Sequence, residues 1–142
     1  MIRGYYFTAL IDTNILVYAM ELHPNFGARS IEILEQVDRG LIKGYISSLV
    51  LMEVCRYMEA SGKIDEMRNS LSIVEDSRLE IIELQHYDIT GAVDIKPHNM
   101  EIDLNDLINY QIMRRRGITN IYTNAYLFKK LESIKTHFKD SP

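Results

Sequence analysis

Short apolar runs rich in aromatic and β-branched residues alternate along this chain with longer stretches whose apolar residues recur every three or four positions. Tyr5 to Ile11 (YYFTALI) reads as a buried strand ended by Asp12. Thr13 to Met20 reads as a helix with Ile15, Leu16 and Ala19 on one face, and Phe26 to Arg39 as a second helix closed by Gly40. Gly44 to Ser47 is a short strand, and Ser48 is placed to cap a helix from Leu49 to about Ala60, closed by Gly62. Lys63 to Asp76 is helical, Leu79 to Ile82 is a strand, and Tyr87 to Asp94 is a helix that stops before Pro97. Asn105 to Arg116 is a helix ending at Gly117, Asn120 to Thr123 a fourth strand and Tyr126 to Glu132 a final helix, with a last strand expected within Ser133 to Phe138.

Strands that alternate with helices imply βαβ units, so the expected fold is α/β: a three-layer α/β/α sandwich around a central parallel sheet. No repeat, low-complexity tract or linker divides the chain, and residues 1–142 are expected to form a single domain. In such sheets ligands sit beyond the carboxyl ends of the strands. That directs attention to Asp12, Ser47-Ser48 and Thr123-Asn124.

Composition narrows the field little. Hydrophobic residues make up 46% and charged residues 25% of the chain, an ordinary globular balance. A net charge of −4 argues against a surface coated in positive charge for general nucleic-acid binding, but leaves room for a local basic groove. The single cysteine, Cys55, rules out an internal disulfide, reads as a small buried hydrophobe and fits a reducing cytoplasm. No apolar run approaches the ~18 residues of a membrane span. Asp12 interrupts the N-terminal apolar stretch and no small-residue cleavage site follows, so a signal peptide is not inferred.

Three acids stand out. Asp12 ends the first strand, where it either caps the next helix or presents a carboxylate to a ligand. Glu53 is set among Leu49, Val50, Met52, Val54 and Tyr57, and either pairs with Arg56, is solvated, or meets a cation. Asp106 opens a helix three residues after Asp103, and the two together make a good helix start in their own right. Each lies near a strand-to-helix transition on the same edge of the expected sheet. Two carboxylates ~4 Å apart repel by about 4 kcal/mol at an effective dielectric of 20, so clustering them makes sense if a hard divalent cation shares them. The histidines, His23, His86, His98 and His137, are scattered and have no zinc spacing.

Leu10-Ile11-Asp12-Thr13-Asn14, Ser47-Ser48-Leu49 through Glu53-Val54, Leu104-Asn105-Asp106-Leu107-Ile108, and Gly117-Ile118 through Ile121-Tyr122-Thr123-Asn124 with Phe128 together resemble the PIN-domain family, including VapC-type toxins, over nearly the whole chain. The resemblance implies acids gathered around one or two Mg2+ or Mn2+ ions, with Asp12, Glu53 and Asp106 as catalytic metal ligands and Asn14, Asp103, Thr123 and Asn124 in support. The implied activity is endoribonuclease cleavage of RNA, and the VapC-type likeness implies the toxin of a toxin–antitoxin pair. It also implies a homodimer and a small antitoxin bound in a hydrophobic groove to which Leu16, Val17, Met20, Leu49 and Met52 would contribute. One departure stands out: where the family commonly has an aspartate after strand four, this chain has Ala125, or Asn124 with a one-residue slip, and Leu127 occupies another place that is often acidic. A catalytically weakened domain that binds RNA or protein is the alternative this raises.

Arg114, Arg115 and Arg116 form a basic run at a helix end, either solvated and favourable to the helix dipole or in contact with RNA phosphates. Lys129, Lys130, Lys135 and Lys139 carry the same two readings. Most of the nine tyrosines, and Met52, Met58, Met67 and Met113, read as packing residues. Other phosphate-handling α/β folds fit poorly. A haloacid-dehalogenase-like phosphatase needs an aspartate where Asn14 stands, a receiver domain needs an aspartate in Leu79 to Ile82, and a dinucleotide fold needs a glycine-rich first turn.

Overall fold

The computed structural model describes residues 7–138. Tyr5 and Tyr6, assigned above to the first strand, and Lys139 lie outside the described residues. Five strands form one parallel sheet: β1 (Phe7–Ile11), β2 (Ile42–Ser47), β3 (Glu80–Ile82), β4 (Asn120–Thr123) and β5 (Lys135–Phe138), in the order β3-β2-β1-β4-β5. The helices are α1 (Thr13–Glu21), α2 (Gly27–Asp38), α3 (Ser48–Ala60), α4 (Ile64–Asp76), α5 (His86–Ile95) and α6 (Leu104–Arg116). The three-layer parallel sandwich read from the alternation is the fold observed.

Alternation within the strands explains the two cores. Ala9, Ile11, Ile42 and Ile46 face one side and pack with Ile15, Leu16, Ile33, Val37, Val50, Val54 and Met58 of α1 to α3. Leu10, Ile82 and Ile121 face the other and pack with Ala92, Leu107, Ile112 and Phe128. The chain leaves β1 toward β2 and β3, then returns to add β4 on the opposite side of β1. The carboxyl ends of β1 and β4 therefore flank the topological switch point, where open parallel sheets bind ligands.

Several local expectations need correction. Ser47, not Ser48, caps α3: the helix begins one residue earlier, at Ser48, and the Ser47 Oγ accepts from Val50 N at 3.1 Å. Ser48 Oγ instead accepts from Leu84 N at 2.9 Å. The expected final helix is only a 3-10 turn, Tyr126–Lys130; Leu131 is extended and Ser133 takes a left-handed φ of 67°, which prevents helical continuation. Met52 is exposed because α3 buries Val50, Val54 and Met58 along the opposite stripe, and Cys55 is half-buried rather than buried. Among the described residues no helix is long and apolar enough to cross a membrane.

Gly44 marks a close approach. A Cβ there would lie 2.9 Å from Val37 Cγ2 and 2.9 Å from Leu79 Cδ2. Gly44→Ala is expected to destabilise the protein by about 1–3 kcal/mol through overpacking, read as a lower urea midpoint; an unchanged midpoint would show that α2 and Leu79 yield freely.

Candidate functional site

Asp12 is held where β1 becomes α1. Its backbone N–H donates to Tyr122 O at 3.0 Å, which completes the β1–β4 pairing, and its carboxylate caps α1 by accepting from Thr13 N at 2.8 Å. The capping reading of Asp12 is the one observed, and its second oxygen has other company. Thr123, the last residue of β4, donates its hydroxyl to Asp12 Oδ2 at 2.7 Å and accepts from Ala125 N at 2.9 Å. That second bond turns the Thr123 proton toward the carboxylate. Asn14 Nδ2 lies 3.4 Å from the same oxygen, while Asn14 Oδ1 accepts from Asn124 N at 3.1 Å. Asn124 in turn donates to the Tyr18 hydroxyl at 2.9 Å.

Glu53 does not pair with Arg56. Thr13 Oγ1 donates to its Oε1 at 2.7 Å and Asn105 Nδ2 to its Oε2 at 2.8 Å, so α1 and α6 both grip a side chain of α3. Asp106 is different: half-buried in the first turn of α6, it makes no hydrogen bond among the described residues. Asp103 occupies the N-cap position of α6 but its side chain makes no capping bond and is exposed.

Asp12, Glu53 and Asp106 line one open cleft of about 370 Å³, together with Thr13, Asn14, Val17, Tyr18, Tyr57 and Ala125. The acids share the cleft without being packed together: among the described residues no three acids, histidines or cysteines stand close enough to hold an ion directly. Their charges nevertheless interact. Burial pushes the Asp12 carboxyl above its ordinary range, Glu53 adds to the rise, and the bonds from Thr123, Thr13 and Asn14 oppose it. At Asp106 burial, then the charges of Asp12, Asp103 and Glu53, raise the pKa to about 7. An oxygen-only donor set under mutual repulsion, in a space several times the ~30 Å³ of a water molecule, suits a hydrated hard cation.

The sequence pattern of the PIN domain matches residues 9–133. This chain belongs to the PIN-domain family. Solved structures resemble it over nearly its full length. The VapBC2 complex from Rickettsia felis, bound to a DNA fragment from its promoter, is 25% identical with a TM-score of 0.70, covering 92% of this chain and 97% of the other. The VapC20 toxin of Mycobacterium tuberculosis, which cleaves the sarcin-ricin loop, is 13% identical with a TM-score of 0.73, covering 86% and 93%. The PIN domain endonuclease Utp24 is 18% identical with a TM-score of 0.52, covering 91% and 82%. A comparison with curated protein sequences returns no match.

The PIN fold brings Asp12, Glu53, Asp106, Asn14, Thr123 and Asn124 into one neighbourhood, and it leaves Asp103 outside the cleft lining, near enough only to repel Asp106. Arg114, Arg115 and Arg116 sit at the other end of α6, eight to ten residues and so ~12–15 Å along the axis from Asp106. Arg115 is bound to buried Asp88 at 2.7 and 3.0 Å, while Arg114 and Arg116 lie over the Tyr110 and Tyr45 rings. Sequence reasoning missed Asn105 and Thr13, the two donors on Glu53. Their positions beside Asp106 and Asp12 were the available signal.

Asp106 predicts a pH signature. An acid whose folded pKa exceeds its unfolded 3.8 holds its proton longer when folded, so its contribution to stability is present below that value and is lost as pH rises through about 7. Cation-free protein should lose melting temperature across this window more steeply than the Asp106→Asn variant, as measured by calorimetry; parallel curves would mean the carboxyl is not held protonated.

Proposed function

We propose that this PIN domain is a divalent-cation-dependent endoribonuclease, the toxin of a toxin–antitoxin pair. The observation that carries the reading is the convergence of Asp12, Glu53 and Asp106 from β1, α3 and α6 on one cleft at the switch point of the sheet. Membership of the PIN family and likeness to the VapBC2 complex support it.

Asp12, Glu53 and Asp106 would hold Mg2+ or Mn2+. When bound, such a cation supplies a Lewis acid that activates water and offsets charge on a phosphodiester under attack. The chain's own groups prepare the place. Thr123 and Thr13 N aim the two Asp12 oxygens, and Thr13 with Asn105 fix both Glu53 oxygens, so neither side chain needs to reorganise when a ligand arrives. Asp106 makes no hydrogen bond among the described residues, so its carboxyl is left for the cation to engage. The substrate is RNA, and a reducing cytoplasm suits the free Cys55.

The antitoxin surface in this reading is the apolar hollow between α1, α2 and α4, lined by Leu16, Met20, Leu34, Ile73, Val74 and Leu79. A neighbouring hollow shares Met20 and Ile73 with it and shares Val17 and Tyr57 with the acidic cleft, so an occupant of the groove would lie beside the site. Leu49, buried against the opposite core, does not belong to this surface, and Met52 is exposed on the outer face of α3. A homodimer, usual for VapC-type domains, is part of the proposal.

Ala125 favours a second reading, a PIN domain that binds without cutting, because its methyl lines the cleft where the family commonly has an acid. Two experiments decide. Purified protein should cleave RNA with Mg2+ or Mn2+, stop in EDTA, and lose at least about 100-fold in rate as Asp12→Asn, in line with the loss of a metal ligand; cleavage by the variant at the original rate would defeat the enzymatic reading. Ala125→Asp should tighten Mn2+ binding in calorimetric titration by restoring a carboxylate to the cleft; unchanged affinity would mean that position 125 does not address the ion.

A further inference from the structure

Below the cleft lies a polar contact that the site chemistry does not use. Ser47 and Asn109 are both wholly buried. Ser47 Oγ donates to Asn109 Oδ1 at 2.7 Å while accepting from Val50 N. Ser47 ends β2 and caps α3, the helix that carries Glu53 six residues on; Asn109 is on α6, one turn beyond Asp106. The Asn109 Nδ2 group is buried and has no hydrogen-bond partner.

That orphan donor is informative. A buried N–H left without an acceptor destabilises a protein, whereas an apolar side chain of similar volume carries no such penalty. Asn109 is therefore a poor choice for stability on a helix whose other buried residues are Leu107, Ile108, Tyr110, Ile112 and Met113. What it does provide is a directional link of fixed length, and a buried polar pair of this kind specifies geometry as apolar contacts do not. The second link between the same two helices, Asn105 to Glu53, runs at the cleft itself.

We propose that the Ser47–Asn109 hydrogen bond is a positioning strut that sets the spacing of Glu53 and Asp106, with Asn109 a positioning residue rather than a catalytic one. This rests on the reading of those acids as cation ligands. The strut holds the base of α3 against α6, so that the two carboxylates meet a cation at a defined separation despite their repulsion.

A double-mutant cycle tests it: Ser47→Ala, Asn109→Leu and the pair, with Ser47→Thr retaining the hydroxyl. Mn2+ affinity is read by calorimetric titration and melting temperature on the same samples. Each single variant and the pair should weaken Mn2+ binding by about the same factor, roughly tenfold, because either change removes the one bond. Ser47→Thr should bind as wild type. Wild-type affinity in Asn109→Leu, or losses that multiply in the pair, would overturn the strut. If wild type itself binds no Mn2+, the cation reading fails, and hydrogen exchange in EDTA judges the spacing alone: Asn109→Leu should speed exchange in the first turns of both α3 and α6, and unchanged protection there would overturn the strut as well.

Discussion

Like-charge repulsion at the carboxyl edge of the sheet is the constraint to which this structure answers. Asp12 is almost completely buried, and Asp106 is raised to about 7 by burial and by three neighbouring acids. A domain built only to be stable would place these groups in solvent. Here neutral donors manage the charge instead: a threonine hydroxyl and a backbone N–H on Asp12, a threonine hydroxyl and an asparagine amide on Glu53. Hydroxyls and amides orient carboxylates without neutralising them, so the negative field in the cleft survives.

The parallel sheet makes such an arrangement possible. Because β1 is flanked by β2 and β4, residues distant in sequence end side by side: Asp12 beside Thr123, and the cap of α3 beside α6. Donors on Glu53 and Asp12 come in part from elements distant in sequence. Thr13 of α1 and Asn105 of α6 hold Glu53 of α3, and Thr123 of β4 holds Asp12 where β1 gives way to α1. A shift of α1 or α6 is thereby felt at Glu53 of α3. The apolar groove adjoins the same cleft through a hollow that shares Val17 and Tyr57 with it.

Much of the fold was legible in the residues. Runs such as Ala9-Leu10-Ile11 and Asn120 to Thr123 announced buried parallel strands, and glycines 40, 62 and 117, each with a positive φ, marked helix ends. The elements that were misjudged are those whose state depends on a neighbour. Ser47 and Ser48 are chemically the same, and only the register of β2 against β1 and β3 decides which of them caps α3. The Tyr126 segment has helical spacing, but Phe128 is drawn into the core and β5 begins four residues after Leu131, leaving room for a single turn.

At the site the division is similar. Order and spacing along the chain were enough to single out Asp12, Glu53 and Asp106, because strand-end and helix-start positions in an alternating α/β pattern must fall on one edge. Local sequence also accounted for the three arginines as a helix-end cluster. The partners were another matter. That Glu53 ignores Arg56 for Thr13 and Asn105, that Arg115 is consumed by Asp88, and that Asn109 sits buried against Ser47 are contacts across 27 to 62 positions of sequence. Periodicity reports which face of an element is apolar. Which polar group waits on the facing element depends on how helices are rotated and seated on the sheet, and that is settled only when the whole core packs.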